Sequence, residues 1–213
     1  MTNPTGIFIT LDGPGGVGKS TTLTALAELL RRRGRPVHTT TEPSNSPLGR
    51  FTRAHADRIH GHALACLVAA DRYEHLRTEI RPRLDHGDTV LCDRYLASTL
   101  VVQRLDHVPE RFLLDLNADV LLPHLAVILT ADAQTIAGRL AARGAHHRFE
   151  RDPQVPAREN ELYQRATEVL RGMGVPVLAV NTTESTPEEA AEQIASAAPP
   201  SPGSVTTSPA DRT

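Results

Sequence analysis

An α/β fold, with a parallel sheet flanked by helices, is what the sequence predicts, and three observations carry that reading. Short β-rich apolar runs alternate with segments of helical spacing, the pattern of βαβ units. The first run, Ile7-Phe8-Ile9-Thr10-Leu11, leads into a glycine-rich turn and then a helix-forming stretch. The length of 213 residues suits one such domain, whose core is large enough to stand without metals or disulfides.

In chain order, strands are expected at residues 6–12, 37–41, 89–93, 125–130 and 176–181. Helical spacing covers 19–33, 63–86, 133–143 and 158–172. Aromatic residues make up only 3%, so Leu, Val, Ile and Ala must fill the core and alanine-rich helices are expected. Arg31-Arg32-Arg33 closes the first helix, where cations suit the helix dipole. Residues 144–156, GAHHRFERDPQVP, are polar and arginine-bearing between two helices, as a mobile lid would be. From 199 onward the chain is rich in Pro, Ser and Thr and is expected to form a disordered tail, leaving 1–198 as the folded domain.

The net charge of -2, with no long block of like charge, argues against nucleic acid or a membrane surface as the main partner. Cys66 and Cys92 have neither metal-ligand spacing nor a CxxC partner, and both read as small core residues of a reduced protein. The N-terminus lacks signal-peptide character and no apolar run is long enough to span a membrane, so a cytoplasmic location is expected.

Residues 13–20, Gly-Pro-Gly-Gly-Val-Gly-Lys-Ser, satisfy G-x-x-x-x-G-K-[ST] between a strand and a helix. Glycine permits the backbone angles that turn successive N–H groups into one concave anion nest, and the helix start adds its positive end. This is a P-loop, and with it comes the P-loop NTPase fold. Gly13, Pro14, Gly15, Gly16, Val17, Gly18, Lys19, Ser20 and Thr21 are therefore expected to hold ATP. Lys19 would reach the β- and γ-phosphates and the Ser20 hydroxyl would ligate Mg²⁺. Lys19 is also the only lysine, arginine supplying the other 22 of the 23 basic residues. A chain that otherwise dispenses with lysine keeps one where phosphate chemistry asks for it.

Further segments resemble the thymidylate kinase family. They are Glu42-Pro43 with Ser46-Pro47-Leu48-Gly49, then Ala69-Ala70-Asp71-Arg72 with His75 and Ile80-Arg81-Pro82, then Asp93-Arg94-Tyr95 followed by Ser98 and Gln103. The matches run in the family's order from about Gly6 to about Ala195. The resemblance implies a five-stranded parallel sheet with a small lid, and transfer of the ATP γ-phosphoryl group to a nucleoside monophosphate, dTMP in this family. It also implies ATP and a nucleotide acceptor as ligands, a part in nucleotide biosynthesis, and a homodimer. Arg94 would grip the acceptor phosphate, where a guanidinium fork binds bidentately. Glu42, Arg72, Ser98 and Gln103 would contact the acceptor, and Asp93 would hold a Mg²⁺-bound water or orient Arg94. With no arginine inside the P-loop, catalytic charge must come from the lid, where Arg143, Arg148 and Arg151 are the candidates.

Four positions depart from the family pattern. Gly15 replaces a carboxylate that contacts the acceptor sugar, Val68 replaces the stacking ring, Val102 replaces a tyrosine on the sugar side, and Thr41 replaces an arginine. Losing the ring removes about 1 kcal/mol of stacking. A wider, less selective acceptor pocket is therefore expected, with dTMP a poorer substrate than another acceptor. The competing readings are a kinase of the same fold acting on another nucleotide, nucleoside or small hydroxyl compound, and a non-catalytic nucleotide-binding module. Lys19, Ser20, Asp93 and Arg94 weigh against the last.

Overall fold

Residues 7–12 read Ile-Phe-Ile-Thr-Leu-Asp and all six are buried, which is the mark of a central parallel strand covered on both faces. The computed structural model describes residues 5–143 and 155–200. Its strands are β1 (Ile7–Asp12), β2 (Val37–Thr41), β3 (Thr89–Asp93), β4 (Leu125–Thr130) and β5 (Val177–Asn181). They form one parallel sheet in the order β2-β3-β1-β4-β5, with β1 paired to both β3 and β4. Strand order reverses on either side of β1, so the crevice between the carboxyl ends of β1 and β3 is where an α/β sheet offers a ligand site.

Side-chain alternation along β1 feeds two cores. Phe8, Val90, Cys92, Ala126 and Ile128 pack on one face with α5 (Leu96–Leu105) and α8 (Val155–Gly172). Ile9, Leu11, Leu91, Val127 and Leu129 pack on the other with α1 (Lys19–Arg32) and α9 (Pro187–Ala197). The edge strands β2 and β5 are only half-buried, and the Thr and His residues of β2 fit that position.

The five expected strands are all present, to within one residue at their ends. The expected helix at 63–86 is broken into α3 (Gly61–His75), a π-helical turn at Leu76–Ile80 and α4 (Arg81–Asp85). Pro82 has no N–H to donate to Thr78, so the regular ladder cannot run through this point. α7 (Ala133–Arg143) stands as expected, and α8 begins at Val155 rather than 158.

Four helices were not anticipated from the sequence. α2 (Pro47–His55) starts at Ser46, whose hydroxyl accepts from Gly49 N at 3.0 Å. A Cβ on Gly49 would run into the Ser44 carbonyl, so only glycine lets this turn close. α5 is buried on nearly every side and therefore shows no amphipathic period. α6 is Glu110–Leu116, and α9 opens with a Thr186/Glu189 capping box.

One burial expectation is corrected. Cys92 is buried on β3, but Cys66 is exposed, because α3 turns Leu64, Ala65, Ala69 and Arg72 inward and leaves position 66 on the opposite face. The segment expected as a lid lies outside the described residues up to 154, and so does the tail from 201. Burial also pushes the Cys92 thiol pKa well up, which favours the unreactive protonated form. A thiol reagent should accordingly modify one cysteine, Cys66, in the native protein and the second only on unfolding. Two fast-reacting thiols under native conditions would contradict this packing.

Candidate active site

Gly18 has φ of 99°, a left-handed conformation that glycine adopts without strain, and it places Lys19 at the first turn of α1. Lys19 is 7% exposed, and its ammonium donates to the carbonyls of Gly13 at 2.9 Å and Pro14 at 2.7 Å. Burial, followed by the nearby Arg94 charge, lowers its pKa to about 7. The P-loop supplies the cavity wall from Gly16 to Thr22, whereas Gly13, Pro14 and Gly15 are buried and do not line it. Two of those three hold the lysine by their carbonyls.

β3 ends on Asp93, beside the carboxyl ends of β1 and β2. The Ser20 hydroxyl donates to Asp93 Oδ2 at 2.6 Å, while Oδ1 is buried without a hydrogen-bond partner. A hydroxyl and an unsatisfied carboxylate oxygen are the hard oxygen donors a Mg²⁺ ion accepts, with phosphate and water completing its shell. Among the described residues no cluster of three or more His, Cys, Asp or Glu forms a metal cage of its own.

Arg94 follows at φ of 69°, costing on the order of 1–3 kcal/mol for a non-glycine residue. Its amide donates to Leu11 O at 2.9 Å, which offsets part of that cost and turns the chain towards α5. Burial opposes the Arg94 charge, but Tyr163, Asp93, Glu159 and Asp12 outweigh it and hold the guanidinium pKa above its ordinary value.

The cavity has a volume of about 920 Å³ and runs from the P-loop to a second wall built by α2, α3 and α5. At the P-loop end, Arg139 donates to Val17 O and Thr182 O, tying α7 to the connection after β5. At the far end, Arg72 is almost fully buried. It donates to Glu42 at 2.8 Å, Asn117 at 2.7 Å and Thr99 at 2.8 Å, and its guanidinium lies 4.9 Å from the Tyr95 ring centre. Burial would lower the Arg72 pKa, and Glu42 more than compensates. Arg72 is thus a braced part of the wall rather than a free arm. Gln103 lines the cavity as well, and its Oε1 is buried with no hydrogen-bond partner. Val68 and Val102 line the same end with aliphatic surface, joined by Thr41, Glu42 and Ser98.

The structure therefore gathers Lys19, Ser20, Thr21, Glu42, Val68, Arg72, Asp93, Arg94, Ser98 and Gln103 around one cavity. Arg148 and Arg151 lie outside the described residues. Residues not anticipated are Arg53 from α2, Asp57 from the turn after it, Arg139, and the braces Thr99 and Asn117. Arg53 escaped notice because α2 itself did. Asp71 proves to be structural: its carboxylate accepts from Ser44 N and the hydroxyls of Ser44 and Ser46, pinning the start of α2.

The family model for thymidylate kinase matches residues 11–194 of the chain. The chain belongs to the thymidylate kinase family. A probable thymidylate kinase from Caldivirga maquilingensis is 39% identical over 163 residues, covering 75% of this chain and 80% of the relative. A thymidylate kinase from Clavibacter sepedonicus is 39% identical over 177 residues, covering 79% and 82%. A probable thymidylate kinase from Pyrobaculum calidifontis is 36% identical over 175 residues, covering 81% and 86%. Membership makes the chain a nucleoside monophosphate kinase of the P-loop class, with ATP as the phosphoryl donor of its family.

Replacing Lys19 by Met should cut kcat by about 10²–10³-fold or more with little change in Tm, since it removes charge stabilisation and leaves the loop intact. With Lys19 at about pKa 7, the protein alone must take up a proton to bind ATP above that pH. ATP affinity should be flat below pH 7 and weaken as pH rises from 7 to 9. An affinity that stays constant from pH 6 to 9 would contradict the lowered Lys19 pKa.

Proposed function

We propose that the protein transfers the γ-phosphoryl group of Mg·ATP to dTMP, giving dTDP and ADP. The observation that carries this reading is the spacing of charge in one cavity: Lys19 at the P-loop end, Arg94 between, and the Arg72–Glu42 wall beyond. Transfer needs an acceptor phosphate oxygen brought in line with the γ-phosphorus as the bond to the β–γ bridging oxygen breaks, so positioning and charge stabilisation do most of the work. Lys19 would meet the donor phosphates and Arg94 the acceptor phosphate. Ser20 and Asp93 would hold Mg²⁺, which when bound neutralises charge on the donor phosphates. Gln103 Oε1 and Arg72 would read the base edge, and Thr99 and Asn117 keep Arg72 in place.

The lid is the source proposed for the remaining catalytic charge, from Arg148 and Arg151. A homodimer follows from the family resemblance, and a cytoplasmic location is supported by two free cysteines. Among the described residues no helix is long and apolar enough to cross a membrane.

A second reading is favoured by Val68 and Val102, which leave the base end of the cavity without a ring projecting from either position. On that reading the acceptor pocket tolerates bases other than thymine. Steady-state kinetics of ADP release with dTMP, dUMP, UMP, CMP and dCMP separate the two: a kcat/KM for dTMP well above the others supports the first. If dTMP is weak, Val68→Phe should raise its kcat/KM severalfold by restoring a stacking surface. ADP release with none of these acceptors would overturn both.

Arg148→Ala and Arg151→Ala should lower kcat more than they weaken ATP binding, because such charge is met only in the closed, reacting complex. Proteolysis between residues 143 and 158 should slow only when ATP and acceptor are both present. Unchanged kcat in both variants would remove the lid from the mechanism.

A further inference from the structure

The Gly13 carbonyl that accepts the Lys19 ammonium at 2.9 Å has a second donor. The Tyr163 hydroxyl, from the middle of α8, reaches the same oxygen at 2.8 Å. Tyr163 is 2% exposed, and its phenol oxygen also lies 3.5 Å from Ser98 Oγ on the acceptor wall. Arg94 is close enough for its charge to act on the phenol. A single hydroxyl thus stands where the donor lysine, the acceptor arginine and α5 meet.

We propose that Tyr163 is a positioning residue for phosphoryl transfer, acting on Lys19 through the Gly13 carbonyl. This rests on the reading of Lys19 as the lysine over the ATP phosphates. The physical reason lies in what happens to that carbonyl. If Lys19 were its sole side-chain partner, turning the ammonium towards phosphate would strand a buried acceptor at its full desolvation cost. With the phenol already donating, the carbonyl keeps a partner and Lys19 is released to the nucleotide. Burial drives the phenol pKa upward, so the hydroxyl stays protonated and remains a donor across the working pH range. Its contacts with Gly13 and Ser98 also tie the P-loop to the acceptor wall, and transfer is sensitive to the distance between the two.

Tyr163→Phe tests this, since it keeps the ring packing and removes only the hydroxyl. ATP affinity by calorimetry should weaken about fivefold, the order expected for one hydrogen bond. The kcat should fall about tenfold while KM for the acceptor stays within about twofold. Tm should move by only a few degrees. ATP affinity and kcat both within twofold of the parent would overturn the proposal. So would a uniform loss in ATP affinity, kcat and acceptor KM that follows the loss of folded protein, because that pattern marks a purely structural tyrosine. The calorimetric arm needs ATP binding alone. If the parent transfers phosphate to none of the acceptors, the functional reading fails while ATP affinity still decides the role of Tyr163.

Discussion

Asp93 is the point on which the site depends, because its backbone and side chain tie four segments to one place. Its carbonyl accepts the Glu42 amide at 3.0 Å and the Thr41 hydroxyl at 3.1 Å, joining the end of β2 to the end of β3. Its carboxylate accepts Ser20 from the first turn of α1, and the next amide bonds to Leu11 of β1. Strand register fixes these partners: β1 pairs Leu11 with Asp93, and β2 pairs Thr41 with Asp93. A slip of one residue would turn the Asp93 side chain to the other face of the sheet and separate Ser20 from its acceptor. The donor and acceptor halves therefore inherit their spacing from the sheet rather than from flexible loops.

The charges around Asp93 are arranged so that arginine and lysine behave differently. Burial brings Lys19 down to about 7, so its charge responds to whatever occupies the cavity. Arg94 and Arg72 keep their charge against burial because carboxylates surround them and a guanidinium is hard to deprotonate. The buried Arg72–Glu42 pair carries a desolvation penalty that its attraction roughly cancels, so its contribution is shape rather than net stability. His75 at the end of α3, bonded to Thr40 of β2 at 2.8 Å, backs the same carboxylate. Asp12 is a further buried carboxylate. Burial pushes its pKa up even though the amides of Tyr95 and Ser98 bond to it, and those bonds anchor α5 to β1.

How much of this was legible in the sequence follows from how each part is encoded. The strands stood out because buried parallel strands are short runs of Ile, Val and Leu. The donor half stood out because its chemistry is local, with one turn and one helix start supplying Lys19 and Ser20 within eight residues. α5 was hidden because it is buried all round, and periodicity sees only helices with a solvent face. α9 was hidden for a weaker reason, since the Thr186-Pro187-Glu188-Glu189 capping signal was there to be read. Cys66 was misplaced because an alanine-rich, apolar helix such as α3 gives little hint of which face turns inward. Tyr163 could not be found by pattern at all: its partner, Gly13, is 150 residues away.

The two halves of the cavity are also held by different kinds of bond, and this bears on how each can change. Backbone groups build the donor half: the carbonyls of Gly13 and Pro14 hold Lys19, and a P-loop offers its N–H groups to phosphate whatever side chains flank them. The acceptor half is assembled from the β2–α2 connection, α3, α5 and the end of α6, joined by side chains such as Asp71, Arg72, Thr99 and Asn117. Its braces lie behind the wall, while Val68, Val102 and Gln103 form the surface that a base would touch. Surface positions can therefore be exchanged without unseating Arg72 or α2, because none of the bracing bonds passes through them. Aliphatic residues at 68 and 102 leave the frame around Arg72 intact for this reason. On the proposed function, the chemistry of transfer and the choice of acceptor fall to separate residues on one scaffold.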